Sequence, residues 1–325
     1  MKILKRLLIL AFICLITGGV FSYTILNQIN TPITLNAPTE VLIPKGATLG
    51  KTAHILAQNN IIKSANLFLL YTRFNKLSSQ IKAGEYRFEN KNTIKDVAET
   101  LTKGAVIKRT LTIPEGKALV EIIEIINQNP HLSGNITIPL KEGEILPETY
   151  HFTKGTSRDE IIKTAKLAME KALNEAYKNL KPDSPIKTKN EILILASIIE
   201  KETGIKTERE LVSSVFTNRL KIGMRLQTDP TVIYAVTNGK MNLNRPIYKK
   251  DLTYDSPYNT YVYNGLPPAP ICSPGVDSIN AAVNPKDTKY IYFVADGITG
   301  GHRFAKTLLE HNKNVIEYRK NLRNK

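Results

Sequence analysis

Ile192-Leu193-Ile194-Leu195-Ala196-Ser197-Ile198-Ile199-Glu200-Lys201-Glu202-Thr203-Gly204 is the stretch on which the fold turns. Seven of its first eight residues are apolar or alanine, so it reads as a helix buried on all sides. Two carboxylates follow, just before a glycine that can end the helix. A carboxylate at the rim of an apolar core has its charged form disfavoured, which raises its pKa and suits it to donate a proton. Residues two apart on a helix point about 200° apart, so Glu200 and Glu202 cannot share a face. Glu202 continues the line of Leu195, Ile198 and Ile199, and Thr203-Gly204 should open the helix end into a cleft. Glu200 extends the line of Leu193 and Ala196. Glu202 is therefore the candidate acid and Glu200 its alternative.

Outward from this helix, three helix starts carry the Ser/Thr-x-x-Glu capping box: Ser157 to Glu160, Thr188 to Glu191 and Thr207 to Glu210. Ile161, Ala165, Met169 and Ala172 form the buried stripe of the first, and Val212, Val215, Phe216 and Leu220 that of the third. From Met241 onward the chain is rich in Pro, Gly, Asn and Tyr, which predicts ordered loops with short strands such as Tyr290 to Ala295. Towards the N-terminus, Val41 to Phe88 reads as strand, helix, helix, strand, with Ser64 capping the second helix. Residues 28 to 37 read as a juxtamembrane linker. Residues 91 to 141 predict a helix over Thr93 to Leu101, a strand over Thr110 to Ile113 and a helix from near Lys117.

The first thirty residues fix the compartment. Lys2, Lys5 and Arg6 precede an uncharged span from Leu7 to Leu26. Roughly twenty such residues match the hydrocarbon thickness of a bilayer. The positive flank keeps the N-terminus in the cytoplasm and places everything beyond about Asn27 outside. A cleaved signal peptide is the competing reading, but the apolar span is long and no small-x-small cleavage site follows it. Net charge is +16, from 45 Lys and Arg against 29 Asp and Glu, and there is no Trp. Such a surplus suits polyanionic partners, among them anionic lipid and cell-wall polymer. No basic run is interleaved with stacking aromatics, so nucleic-acid binding is not expected. Cys14 falls in the membrane span and Cys272 outside it, which excludes a disulfide between them and a cysteine-based metal site.

The strand-helix-helix-strand unit, with Pro44-Lys45-Gly46 at its first turn, resembles a LysM module, a fold associated with glycans containing N-acetylglucosamine. More extended motifs lie in the larger part of the chain. Ile198-Ile199-Glu200-Lys201-Glu202-Thr203 is similar to the helix-terminal Glu-Ser motif of lysozyme-like lytic transglycosylases. Asn218-Arg219-Leu220-Lys221-Ile222-Gly223-Met224-Arg225-Leu226-Gln227-Thr228-Asp229-Pro230-Thr231 resembles the signature of the endolytic murein transglycosylase (YceG-like) family. So do Tyr258-Asn259-Thr260-Tyr261, Gly265-Leu266-Pro267-Pro268, Ser273-Pro274-Gly275, and Gly301-His302-Arg303-Phe304 with Glu310-His311-Asn312. The resemblance covers essentially the whole chain.

The fold class expected is α+β, with residues 1–27 as cytoplasmic N-terminus and transmembrane helix, 38–110 as a LysM-like βααβ module, and 111–325 as a mixed α/β catalytic domain with a lysozyme-like helical site. The resemblance implies a membrane-anchored, cofactor-free lyase that cleaves the bond between N-acetylmuramic acid and N-acetylglucosamine in nascent peptidoglycan strands. It implies 1,6-anhydro ends, an inner-membrane location and action beside wall synthases such as penicillin-binding proteins. Most glycosidases need two carboxylates. A lytic transglycosylase manages with one, because the muramic C6 hydroxyl attacks within the sugar.

Asp229 is the residue that would serve as a second carboxylate, and Asp-Pro equally reads as an N-cap with Pro at the first helical position. Gln227 and Asn259 could donate to N-acetyl groups or brace loops. Tyr258 and Tyr261 suit either sugar stacking or packing, and Arg225 either a stem-peptide carboxylate or solvent. His302 has no Cys, His or carboxylate at ligand spacing and reads as structural. Two rival functions stay open: a hydrolytic muramidase in which Asp229 activates water, and a non-catalytic scaffold that binds peptidoglycan.

Overall fold

The computed structural model describes residues 2–240 and 242–323; Met241, with which the loop-rich region opens, lies outside them. The described residues form two units: 2–109 with 151–156, and 110–150 with 157–323, Met241 apart.

The first unit begins with α1 (Lys2–Asn30). Its window of mean hydropathy 2.2 makes it long and apolar enough to cross a membrane. The helix overruns the expected span, and its last turn is not a linker. Ile25 and Ile29 pack into the core of the unit, and β1 (Ile33–Thr34) pairs with β4 (Lys91–Asn92), because apolar side chains at Ile29, Ile33 and Leu35 have a core to enter. Beyond it, β2 (Thr39–Ile43) and β3 (Gly84–Phe88) pair antiparallel, Val41 opposite Tyr86. Between them lie α2 (Leu49–Gln58) and α3 (Ala65–Phe74), each with a Thr or Ser side chain accepting from the third helical N–H. The strand, helix, helix, strand order is thus present. Helix α4 (Ile94–Lys103) starts at a Thr93–Asp96 capping box and ends at Gly104 in the left-handed conformation. Tyr86, Phe68 and Phe88 fill the core. The segment 151–156 groups here: Glu85, buried, is held by Arg109 at 2.7 Å and Lys154 at 2.8 Å.

The second unit is built around one helix. β5 (Arg109–Thr112), at whose start the second unit begins, leads into α5 (Leu119–Gln128), and β6 (Thr149–Phe152) pairs with β5. Then come α6 (Arg158–Lys178), α7 (Lys189–Glu202), α8 (Arg209–Lys221) and α9 (Asp229–Thr237). After a loop-rich stretch follow α10 (Val276–Val283), the antiparallel pair β7 (Tyr292–Ala295) and β8 (His302–Ala305), and α11 (Leu308–Arg323). Every residue of α7 from Ile192 to Ile199 is buried, as the quoted stretch predicts, with α6, α8, α9 and α10 packed around it. Its middle also anchors the loop before α10: Ser197 Oγ accepts from Ile271 N at 3.1 Å, and Cys272 Sγ donates to Ser197 O at 3.3 Å.

Capping boxes form at Ser157 and Thr188 but not at Thr207. A 3₁₀ turn over Lys206–Glu208 precedes α8, and Glu208 at its N-cap position points its carboxylate elsewhere, as described below. Helix α7 does not end on Gly204. Thr203 stops it by turning extended, at φ −139° and ψ 129°, and Gly204 has no left-handed φ.

Candidate active site

The acid pair at the end of α7 is divided by the helix geometry. Glu200, with its side chain only 6% exposed, is pinned on both oxygens: Arg209 Nη2 donates to Oε1 at 3.0 Å and Gly275 N donates to Oε2 at 2.9 Å. Arg209, itself buried, also meets Glu115 at 3.2 Å and Asp277 at 3.3 Å. A Cβ at Gly275 would lie 1.9 Å from Glu115 Oε1, so any other residue there would displace the Glu115 side chain from its place beside Arg209. The alternative acid is therefore a structural anion, locked in a charge network that ties α7 to α8 and to the start of α10.

Glu202, one residue before the break, has no cation bonded to it among the described residues. Burial pushes its carboxyl up to about 7, the nearby Asp229 charge adds to the rise, and a hydrogen bond from Thr228 with the charges of His302 and Arg219 opposes it. Thr228 Oγ1 donates to Glu202 Oε2 at 2.7 Å. Thr228 is the N-cap residue of α9, yet its hydroxyl caps nothing in that helix. It is held for Glu202 by a buried threonine cluster. Its N–H donates to Thr260 Oγ1 at 3.1 Å, Thr231 Oγ1 donates to its carbonyl at 2.7 Å, and Thr231 and Thr260 hydroxyls meet at 2.8 Å. Within the motif from Asn218 to Thr231, Thr228 is thus the residue whose hydroxyl reaches Glu202. Spacing gave no sign of it, because the partners are 26 residues apart.

The other site candidates fall around this pair. Gln227, exposed, sits at φ +48°, a left-handed conformation that costs a non-glycine residue on the order of 1 kcal/mol. Its N–H donates to Thr260 O at 3.1 Å, which fixes the strained turn next to Thr228 and leaves the amide side chain outward. Asp229 is the first residue of α9 and does not cap it; Pro230 follows in the first turn. Its exposed carboxylate instead accepts from Tyr261 Oη at 2.7 Å, and the half-buried Tyr261 ring has its pKa raised by burial first and by Asp229 and Glu202 next. The N-cap reading of Asp229 is corrected on that ground: a tertiary donor takes the oxygen that a cap would use.

Asn259 is also corrected. It is fully buried, its amide donates to the carbonyls of Tyr254 at 2.8 Å and Leu252 at 3.2 Å, and its oxygen accepts from Tyr261 N at 3.0 Å. It has no group left for a sugar and acts as the brace of the Tyr258–Tyr261 loop. Tyr258 lies with its ring centroid 4.8 Å from that of Tyr234, at the edge of the core. Arg225 is exposed and ties the same loop through Tyr261 O at 2.9 Å and Asn264 Oδ1 at 3.2 Å. Arg219 is buried, with Nε donating to Ile291 O at 2.7 Å and the guanidinium 5.7 Å from the Tyr292 ring centre.

His302, with no carboxylate at ligand spacing in the sequence, meets one across the fold: its Nδ1 lies 2.8 Å from Glu208 Oε2. The two are 94 residues apart. No group of three or more His, Cys, Asp or Glu among the described residues could hold a metal ion. A cavity of about 890 Å³ lies away from Glu202, walled by α6, the first half of α7 and Pro268–Pro270, with Glu142 in its lining.

Against known proteins, residues 41–317 match the model of the YceG-like family. The chain is 36% identical over 339 residues to a Bacillus subtilis protein named endolytic murein transglycosylase, with 94% of this chain and 91% of that protein covered. A Streptococcus pneumoniae protein of the same name is 30% identical over 361 residues, and this chain spans 64% of its length. Among solved structures, a YceG-like protein of Listeria monocytogenes is similar with a TM-score of 0.53 at 33% identity, covering 85% of this chain and 98% of that one. A family match over most of the length, with relatives at this identity, leaves one conclusion: the chain belongs to the YceG-like family.

Proposed function

We propose that this protein is an endolytic peptidoglycan transglycosylase, with Glu202 as acid and then base. The observation that carries the reading is the Glu202 carboxyl itself: half-buried at the end of α7, with no bonded cation among the described residues, and pushed up by burial to about 7. A group so poised can both give and take a proton near neutrality. The protonated carboxyl gives its proton to the glycosidic oxygen as the C1–O bond breaks. The muramic C6 hydroxyl then attacks C1, and its proton passes to the Glu202 carboxylate. No water is consumed and the acid is restored. Thr228 donates to the carboxylate in the charged half of the cycle, and Gln227 offers its amide to an N-acetyl group. The names of the relatives support the reaction class.

The domain roles belong to the same proposal. Residues 38–110 form a LysM-like module that engages glycan, and 111–325 the catalytic domain, whose acid stands at a helix end as in lysozyme-like sites. Helix α1, 0% buried over its apolar window, anchors the chain in the cytoplasmic membrane, with Lys5 and Arg6 inside and the large unit outside. Nascent strands beside the wall synthases, penicillin-binding proteins among them, are the substrate.

The experiment is digestion of purified peptidoglycan by the full chain and by Glu202→Gln, with the products weighed by mass spectrometry. Anhydro-muramic ends from the wild type and none from the variant are expected. Reducing ends would replace this reading by the hydrolytic one with Asp229 as base, and undiminished cleavage by Glu202→Gln would remove Glu202 from its role.

A further inference from the structure

Helix α1 enters the first unit without a linker. Ile29 is buried in the unit's core and Ile25 packs against it, whereas Ile3 to Thr24 are exposed. The uncharged span ends at Leu26, so the unit begins where the hydrocarbon stops. The headgroup layer adds about 5–7 Å on each side of a bilayer, roughly four residues of helix. What surrounds Gln28 to Thr31 therefore stands at headgroup depth.

A pocket of about 320 Å³ lies at that level, with Gln28 and Thr31 in its wall together with Lys63, Ser64 and Leu67 from the start of α3. Leu67 also opens an apolar stripe. Leu70 and Phe74 follow it on α3, within about 60° of it around the helix. Both are uncovered, 48% and 86% exposed, whereas Phe68 and Thr72 on the inner face are buried. Charge points the same way. Residues 41–84 carry Lys45, Lys51, Lys63, Arg73, Lys76 and Lys82 and not one Asp or Glu. Lys63, Arg73 and Lys76, next to the stripe, are exposed.

An exposed phenylalanine by itself needs no explanation. This one continues a stripe that starts beside the emerging anchor, on a helix flanked by cations. Aromatic and aliphatic side chains among lysines and arginines are the pattern of a helix that lies in the bilayer interface, where anionic headgroups attract the basic residues. We infer that the outer face of α3, with the pocket at its start, is a second membrane contact: Leu70 and Phe74 enter the boundary of the leaflet from which α1 emerges, and the basic run seats the unit on anionic lipid. The inference rests on the reading of α1 as a membrane anchor.

The test uses the full chain in phosphatidylcholine vesicles with and without phosphatidylglycerol. Cys14→Ser leaves Cys272, which is buried, so a fluorophore goes singly onto Leu70→Cys, Phe74→Cys or, to mark the span, Leu15→Cys. Quenching by a nitroxide carried on the lipid reports contact. Roughly twofold or greater quenching is expected at all three positions, rising at Leu70→Cys and Phe74→Cys when phosphatidylglycerol is present. The triple variant Lys63→Glu/Arg73→Glu/Lys76→Glu should abolish that rise. Quenching at Leu15→Cys with none at the two α3 positions overturns the inference and leaves the anchor standing. No quenching at Leu15→Cys overturns the anchor and the inference with it. A signal indifferent to phosphatidylglycerol and to the triple variant overturns the part given to the basic run. Protection of the α3 labels by soluble glycan strands, without quenching by lipid, assigns the face to glycan and overturns the inference as well.

Discussion

A carboxyl kept neutral by burial has to weaken the fold when it is forced to ionise, and Glu202 makes this measurable. Its pKa rises from an ordinary 4.5 to about 7, chiefly through desolvation. The folded state therefore binds more protons than the unfolded chain between these two values, and stability falls as pH rises through that window. Two and a half pH units at about 1.4 kcal/mol each put the loss on the order of 3 kcal/mol, complete above about pH 8. Glu202→Gln keeps the shape and removes the ionisation. Its melting temperature should match that of the wild type near pH 4.5, where both side chains are neutral. Near pH 8.5 it should exceed the wild type by roughly 6–12 °C, for a domain of this size. Calorimetry of the full chain in detergent at a series of pH values supplies the comparison. Two melting curves that run parallel from pH 4.5 to 8.5 would refute the reasoning, since they would mean that the carboxyl is not desolvated.

Thr228→Val deletes the 2.7 Å donor to Glu202 at constant shape; a hydrogen bond to a charged group is worth roughly 1.5–3 kcal/mol, so the alkaline limb of the pH–rate profile should rise by roughly one to two units, and an unmoved limb would show the bond to be idle. Arg209→Leu leaves Glu200 buried without its partner, and urea unfolding should report a loss of about 3–5 kcal/mol; less than about 1 kcal/mol would contradict the pinned-anion account. Glu142, whose carboxyl burial also raises to about 7, accepts from Leu119 N at 2.8 Å in the wall of the 890 Å³ cavity. Glu142→Gln should remove its own share of the fall in stability over the same window, leaving that of Glu202, while strand cleavage persists, so loss of cleavage would place Glu142 in the reaction. Asn259→Ala should cost about 1–3 kcal/mol in thermal stability by stranding the backbone groups of its loop, and an unchanged melting temperature would argue against its role as brace.

What the sequence disclosed was local. The run from Ile192 to Ile199 announces a buried helix because burial on every side needs apolar residues on every side. Ser157 and Thr188 announce helix starts because a capping box closes within four residues. Thr207 fits the same pattern and fails, since a 3₁₀ turn over Lys206–Glu208 takes the place of the cap and commits Glu208 to His302, 94 residues away. Asp229 fails likewise, its carboxylate claimed by a tyrosine 32 residues later. Gln227 shows its left-handed backbone only in the fold, as nothing in Leu226-Gln227-Thr228 demands it. The candidate residues were legible as a neighbourhood of motifs, and the contacts that tell them apart were not, because each is made with partners distant in the chain.

The choice between Glu200 and Glu202 shows how one helix makes two unlike acids from two like residues. A separation of two positions turns them about 200° apart, so they meet different neighbours although the same apolar run delivers both. Glu200 meets Arg209 and a backbone N–H, and every oxygen is spoken for. Those contacts tie it to α8 and to the start of α10. Glu202 meets a hydroxyl, which serves the carboxylate as donor and tolerates the acid. That hydroxyl comes from an N-cap position, and its diversion leaves α9 without its side-chain cap, a sacrifice of about 1 kcal/mol in helix stability. With the left-handed turn at Gln227 immediately before it, two consecutive residues depart from what local stability favours, and the second of them gives its hydroxyl to the Glu202 carboxyl. Strain and an unused cap at adjoining positions are departures that folds concentrate at functional sites, and they stand beside the residue proposed as acid.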